Sequence, residues 1–245
     1  MGKVRIDQLL VARGLAPSRS RAQAVVLAGE VYVAGARVDK AGALVPEDAA
    51  VDVRAPDHPY VSRGGVKLAG ALDACAVDVR GLRCLDLGAS TGGFTDCLLQ
   101  RGAARVVAVD VGYGLLAHKL RVDPRVVVLE RTNARALAPD AIGGPAELTV
   151  VDASFIGLGK LLPAIAACTC AGGQLVALIK PQFEVGREQA SRSKGVVREG
   201  AVRDQAIETA VQAVQDAGFA ILGRHDSVLP GPSGNVEAFV HARRV

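Results

Sequence analysis

The sixteen residues from Cys84 to Leu99, CLDLGASTGGFTDCLL, admit few folds. A short apolar run leads in and an apolar helical pattern leads out. Between them lies Gly88-Ala-Ser-Thr-Gly92-Gly93, too rich in glycine for either regular element. The stretch is a strand, a tight turn and a helix. Glycine lets the backbone turn sharply and come close to a bound molecule, and the helix start offers unpaired N–H groups. A nucleotide-like ligand fits such a corner.

Two acids strengthen that reading. Asp86 lies at the end of the first strand, and Asp110 closes the next apolar run, Val106-Val-Ala-Val-Asp110. An acid at the end of the second strand can accept hydrogen bonds from both hydroxyls of an adenosine ribose. A dinucleotide site prefers G-x-G-x-x-G, but Ser90 replaces the middle glycine and would crowd a pyrophosphate. Gly88-x-Ser90-x-Gly92 also matches the nucleophile elbow of a hydrolase. Only about thirty residues separate the basic N-terminal unit from Leu85, too few for the core strands and oxyanion loop of that fold, and His241 falls inside an alternating run and not in a free loop. S-adenosylmethionine is the ligand the corner fits best, with a plain strand–helix turn as the alternative.

At 245 residues there is room for one α/β domain and a small appendage. Half of the residues are hydrophobic, so a core is feasible, yet no run reaches the roughly 18 apolar residues of a membrane span. The start, MGKVRIDQLL, lacks the apolar core of a signal peptide, and a cytoplasmic protein is expected. Five cysteines without a CxxC pair indicate neither a disulfide framework nor a zinc site. The net charge of +4 is concentrated: residues 1–40 hold seven Lys or Arg against three acids, a surplus equal to that of the whole chain.

That basic start is patterned. Apolar residues 6, 9 and 10 recur at helical spacing before Gly14, and Ala22, Val25 and Val26 mark a second helix closed by Gly29. Ser18 or Ser20 can cap it, Ser20 and Gln23 matching a capping box. Val31–Val33 and Arg37-Val38 flank a glycine turn as short strands, with Val51 and Val53 as a third. Arg5, Arg19, Arg21 and Lys40 are available to one face, which in an isolated helix pair would be an ordinary solvated surface. Residues 4–53, however, resemble the small RNA-binding domain named after ribosomal protein S-four. The glycine after the first helix, the Ser-Arg opening the second and Gly29-x-Val-x-Val all match. The resemblance implies binding of RNA backbone through cationic side chains.

Two prolines and a polar run mark residues 55–62 as an interdomain linker, in which His58 is a linker residue and not a ligand. Arg63-Gly-Gly-Val-Lys67 then opens a helix. Beyond Asp110, strands at Val126–Glu130, Leu148–Asp152 and Gln174–Lys180 alternate with helical or loop material, the mark of a parallel sheet covered on both faces. Ligands of such sheets sit at the carboxyl ends of the strands, so Asp152 and Lys180 share a rim with Asp86 and Asp110. Residues 186–203 are basic and Gly/Ser-containing. Arg187 and Lys194 there suit a phosphate backbone or a solvated loop almost equally. A helix near 201–217 and strands at 219–222 and 236–240 complete the chain, with the loop 229–235 and Glu237 between those strands.

A methyl donor site beside Lys67, Asp152, Lys180 and Glu237 suggests methylation of a hydroxyl. A ribose 2′-OH is a weak acid and needs a base, which a lysine can supply when desolvation and a second cation favour its neutral form. Lys180 is assigned as base, Lys67 and Asp152 as groups that tune and orient it, and Glu237 as the anchor of the network or of the ribose. Transfer from a sulfonium needs no metal, and positioning supplies most of the remaining rate. Taken singly, each of the four is an unremarkable surface ion-pair residue.

The order SRGGxKL, LDLGASTGGFTD, VDASFI, KPQFE and GNVEAF after the S-four-like domain resembles the TlyA (haemolysin A-like) family of ribosomal RNA methyltransferases. Its catalytic half resembles the FtsJ-type ribose methyltransferases, whose Lys-Asp-Lys-Glu tetrad carries over to Lys67, Asp152, Lys180 and Glu237. The resemblance implies a Rossmann-like α/β sheet, mostly parallel with an antiparallel last strand, over residues 63–245, and a small α+β RNA-binding domain over residues 1–54. It implies S-adenosylmethionine contacts at Asp86, Gly88, Ser90, Gly92, Asp110, Asn133 and Asp152. Phe155 and Ser233 would lie near the substrate RNA, which Arg63 would help to hold. A monomer acting on a cytidine ribose of ribosomal RNA or ribosomal subunits is expected, without metal or membrane. The alternatives are an RNA-binding module without methyl transfer and a membrane-active haemolysin. One departure stands out: actinobacterial members carry Arg-x-Trp-Val in the linker, where this chain reads His58-Pro-Tyr60-Val61.

Overall fold

The computed structural model describes residues 2–54, 58–185, 200–231 and 234–245. Arg187, Lys194 and Ser233, named above as RNA contacts, lie outside the described residues.

The N-terminal unit opens with β1 (Lys3–Arg5), α1 (Ile6–Ala12) and α2 (Arg19–Ala28). The apolar faces of the two helices, Ile6, Leu9 and Leu10 against Ala22, Val25 and Val26, bury one another and close on Val31 and Val45. Ser18, not Ser20, caps α2. Its backbone is extended and its hydroxyl accepts from the Arg21 N–H at 3.2 Å, whereas Ser20 is already one residue inside the helix. Gly29 ends α2 in the left-handed region at φ 83°. The strands β2 (Val31–Val33), β3 (Ala36–Arg37) and β5 (Val51–Val53) pair antiparallel in the order β3-β2-β5. The strand β4 (Leu44–Pro46) pairs instead with β1, a ladder of three-residue strands too short to show alternation in the sequence.

The remainder is a seven-stranded sheet with helices on both faces. Its elements are α3 (Arg63–Ala74), β6 (Arg83–Leu87), α4 (Gly93–Gln100), β7 (Arg105–Val109), α5 (His118–Arg121) and β8 (Val126–Leu129). They are followed by β9 (Ala146–Val151), α6 (Leu162–Cys168), β10 (Thr169–Ile179), α7 (Pro181–Glu184), α8 (Ala201–Asp216), β11 (Phe219–Asp226) and β12 (Ala238–Arg244). The order is β11-β12-β10-β9-β6-β7-β8. Among the described strands of this sheet, β12 alone runs opposite to the rest, antiparallel to both β10 and β11. Period two sorts the side chains of β6 and β7: Leu85, Leu87, Val107 and Val109 face α6 and α8, while Cys84, Val106 and Ala108 face α3 and α4. From β6 the chain winds outward through β7 and β8, then returns to β9 on the other side. The crevice between the ends of β6 and β9 is therefore the switch point where a ligand is expected.

The linker is fastened to this domain. The Val61 N–H donates to the buried Asp96 of α4 at 2.8 Å, and the Tyr60 ring lies so close to Gly65 that a Cβ there would stand 2.3 Å from its Cγ. Among the described residues no helix is long and apolar enough to cross a membrane.

Candidate active site

The glycine corner is built for contact between backbones. Gly88 has φ 88°, and a Cβ there would meet the Asp152 carbonyl oxygen at 2.8 Å, so the ends of β6 and β9 touch only because the side chain is absent. Ser90 adopts φ 50°, and its N–H donates to Asp110 at 2.8 Å. The other Asp110 oxygen accepts from the Gly112 N–H at 2.6 Å. A carboxylate has about four acceptor positions, so these two bonds hold it in place without exhausting it.

Beside this corner lies a cavity of about 460 Å³, lined by Gly88, Ser90, Asp110, Asn133 and Asp152 together with apolar Val109, Leu115 and Ile156. A fixed carboxylate, an amide side chain and an apolar wall match the diol, the base and the flat face of an adenosine, and the volume is that of a small-molecule pocket. S-adenosylmethionine therefore fits the residues present. Asp86 and Gly92 fall elsewhere. Asp86 is fully buried beneath the corner, lines neither cavity of the site, and accepts from Thr95 Oγ1 at 2.6 Å. Burial, and secondarily the negative charges of Asp152 and Asp110, push its carboxyl up to about 7, while the Thr95 bond opposes that rise. Gly92, at φ 96°, is packed under Leu120 and Leu116, which a Cβ would strike at 2.2 and 2.8 Å.

A second cavity of about 170 Å³ adjoins the first through Gly88, Ser90, Asp152 and Ser154. It brings together Lys67 of α3, Asp152 after β9, Lys180 after β10 and Glu237 before β12. These four form two ion pairs. Lys67 Nζ donates to Glu237 at 2.5 Å, with both side chains buried. Lys180 Nζ lies 2.6 Å from Asp152 Oδ1, off the line of a hydrogen bond, and donates to Ser154 Oγ at 2.7 Å. Gly231 makes room for Glu237: a Cβ there would stand 2.2 Å from its Oε1. Arg63 lines the same cavity. Phe155, 91% exposed and at φ 67°, stands on the rim of the larger cavity with its ring 5.4 Å from that of Phe183. A left-handed aromatic residue is strained backbone, and such strain gathers at functional sites.

On the N-terminal unit, Arg5 and Arg19 both hold the buried Asp7, at 2.9 and 3.0 Å, and Gln23 donates to it at 3.1 Å. The Arg5 guanidinium in particular keeps that carboxyl well below the usual range. Arg21 and Lys40 are exposed. Sequence reasoning missed three contributors to the cavities. Ser154 was within sight, two residues after Asp152. Leu27 lines both cavities and Asp39 the smaller one, although both belong to the N-terminal unit. No local pattern announces a contact made by docking one unit on another. Among the described residues no group of three or more His, Cys, Asp or Glu could hold a metal ion.

Comparison with known proteins matches the FtsJ-like methyltransferase family to residues 60–244 and the S4 domain to residues 4–51. The chain is 50% identical over 242 residues to the 16S/23S rRNA (cytidine-2'-O)-methyltransferase TlyA of Mycobacterium tuberculosis, covering 98% of this chain and 90% of that protein. It is 38% identical to Hemolysin A of Brachyspira hyodysenteriae, with 97% and 99% covered. A solved structure from Streptococcus thermophilus that carries a hemolysin name superposes with a TM-score of 0.77 at 41% identity, covering 100% of this chain and 90% of that one.

Proposed function

Since the chain belongs to the FtsJ-like methyltransferases, in the TlyA-type group that adds an S4 domain, we propose that it methylates a ribose 2′-OH of ribosomal RNA, with cytidine as the target nucleotide. The observation that carries this reading is Lys180 Nζ, held between Asp152 and Ser154 on a cavity that opens onto the one beside Asp110. The relative from M. tuberculosis bears the name of a 16S/23S rRNA cytidine-2'-O-methyltransferase, which supports the choice of substrate.

Asp110, Asn133 and the backbone at Gly88 and Ser90 hold S-adenosylmethionine, which when bound supplies a methyl group activated by a sulfonium. Asp152 lies on the wall common to both cavities and fixes Lys180 beside the place of transfer. Lys180 Nζ receives the proton of the attacking hydroxyl, and Ser154 Oγ keeps that nitrogen aimed at the cavity. Lys67 stands on the wall of the same cavity as Lys180. Glu237 neutralises and orients Lys67. Phe155 offers an exposed ring to the target base, and Arg63 with the cations of residues 1–54 holds the strand. The linker 55–62 joins that binding unit to the methyltransferase domain 63–245.

The experiment is transfer of a labelled methyl group to unmodified small subunits, large subunits, naked rRNA and tRNA, comparing wild type with Lys180→Ala. Label in ribosomal RNA that the variant loses supports the reading. Folded wild-type protein that labels no RNA overturns it in favour of an RNA-binding module.

A further inference from the structure

A cavity of about 430 Å³ lies where the N-terminal unit, the linker and α3 meet, apart from the two that make up the active site. Three arginines, Arg37, Arg54 and Arg63, stand in its wall against one acid, Glu30, with Tyr32 and His58 beside them. The arginines come from three places in the chain: β3, the residue after β5, and the first turn of α3. Gly29 lets two of them converge. A Cβ there would stand 3.2 Å from Arg63 Cδ and 3.6 Å from Arg37 Cδ, so both stems pass over the same bare backbone. The Arg54 guanidinium lies 4.1 Å from the centre of the Tyr32 ring.

These cations are held in place by neighbours. Arg37 Nε donates to Asp39 at 2.8 Å, Arg54 Nη2 to Asp52 at 3.1 Å, and Arg63 Nη2 to the Pro230 carbonyl at 3.4 Å. A guanidinium carries five N–H donors, so the bond that Arg37 or Arg54 makes to its acid fixes it without exhausting it, and its planar fork suits phosphate. Burial pushes the Glu30 carboxyl up, against the pull of nearby Arg21 and His58. The cleft is continuous with the chemistry. Arg63 lines both it and the catalytic cavity, Lys67 follows one helical turn later, and Asp39, the partner of Arg37, lines the catalytic cavity too.

We propose that this cleft binds the RNA phosphates that flank the nucleotide entering the catalytic cavity, with Arg37 and Arg54 as phosphate contacts and Arg63 as the link between the two. The proposal rests on the reading of the protein as an RNA ribose methyltransferase. Contacts of this kind fix register and orientation and carry no sequence information of their own. They would set which nucleotide of a bound strand faces Lys180.

The test is the salt dependence of binding between the full-length protein and an unmodified ribosomal subunit, for wild type, Arg37→Ala/Arg54→Ala and Arg37→Lys/Arg54→Lys. Each phosphate contact contributes about 0.7 to 0.9 to the slope of log K against log salt, so the alanine pair should lower the slope by roughly 1.4 to 1.8. The KM for the subunit should rise at least tenfold at physiological salt. S-adenosylmethionine affinity measured by calorimetry should stay within twofold, and the lysine pair should keep most of the slope. An unchanged slope in the folded alanine variant overturns the proposal. Should the alanine pair fail to fold, Arg54→Gln decides, with an expected fall of about half that size. If wild type binds subunits but transfers no methyl group, the methyltransferase reading fails, and the slope still judges the cleft.

Discussion

Lys67 and Glu237 stand 170 positions apart in the chain, and their side chains meet at 2.5 Å. The contact joins the first helix of the methyltransferase domain to the start of its last strand, so the catalytic cavity exists only once the whole sheet has closed. Glu237 is fully buried and Lys67 nearly so. Neither charge has bulk water to fall back on.

Removing one half of this pair therefore leaves a buried charge without its partner. Glu237→Ala and Lys67→Ala should each cost about 3 to 5 kcal/mol in urea unfolding. Lys67→Met/Glu237→Leu, which removes both charges, should cost clearly less than either single change. Methyl transfer should be lost in all three. Equal destabilisation by the single and double variants would mean that packing, and not charge, dominates at this contact.

Lys180 is tested by separating its charge from its basicity. Lys180→Arg keeps a cation beside Asp152 but cannot give up its proton. Turnover should fall at least 100-fold, while S-adenosylmethionine affinity in calorimetry stays within a few-fold of wild type. Ser154→Ala removes only the acceptor of the Nζ proton, a bond to a charged group that contributes about 1.5 to 3 kcal/mol. Its turnover should fall roughly 10- to 100-fold, between wild type and Lys180→Arg. Substantial turnover in Lys180→Arg would show that another group takes the proton.

Element order alone sets Asp110, Asp152 and Lys180 on one rim, because the ends of parallel strands must share an edge, and the structure has them there. Which lysine meets which acid is another matter. The pairing of Lys67 with Glu237 depends on Gly231 leaving space, and that of Lys180 on the turn through Ser154, neither of which has a periodic signature. Asp86 reads as a rim acid from its position after Leu85, yet β6 runs on to Leu87, and alternation turns Asp86 toward α4, where it accepts from Thr95 beneath the corner. Leu27 and Asp39 reach the cavities through the docking of two units, which no local pattern encodes. Ser18 displaces Ser20 as cap because one residue of register decides a helix start, below what spacing can resolve.

Gly88 separates strain from collision. At φ 88° any side chain is unfavourable, and a Cβ would also strike the Asp152 carbonyl at 2.8 Å. Gly81 provides the control, with φ 74° and open space around its missing Cβ. Gly81→Ala should cost about 1 to 2 kcal/mol, the price of the left-handed backbone alone, with cofactor affinity intact. Gly88→Ala should cost more and weaken S-adenosylmethionine binding at least tenfold, since both Asp152 and the corner must move. Equal behaviour of the two variants would remove the close approach of β6 and β9 as the reason for glycine.

Asp86 predicts the pH dependence of stability. Burial above all pushes its carboxyl up to about 7 in the folded protein, from an ordinary value of 3.8. Between those values the folded state binds more protons at this group than the unfolded state does, so its contribution falls as pH rises through the window and is lowest above 7. At 1.36 kcal/mol for each unit, the full effect is about 4 kcal/mol. Asp86→Asn keeps an oxygen to accept from Thr95 and cannot ionise. Urea unfolding without cofactor should find the variant close to wild type at pH 4 and more stable by a few kcal/mol at pH 8. A difference that stays constant from pH 4 to pH 8 would place the titration of Asp86 outside that window and leave the buried carboxylate charged at neutral pH, held by the fold at a cost that Thr95 alone would have to offset.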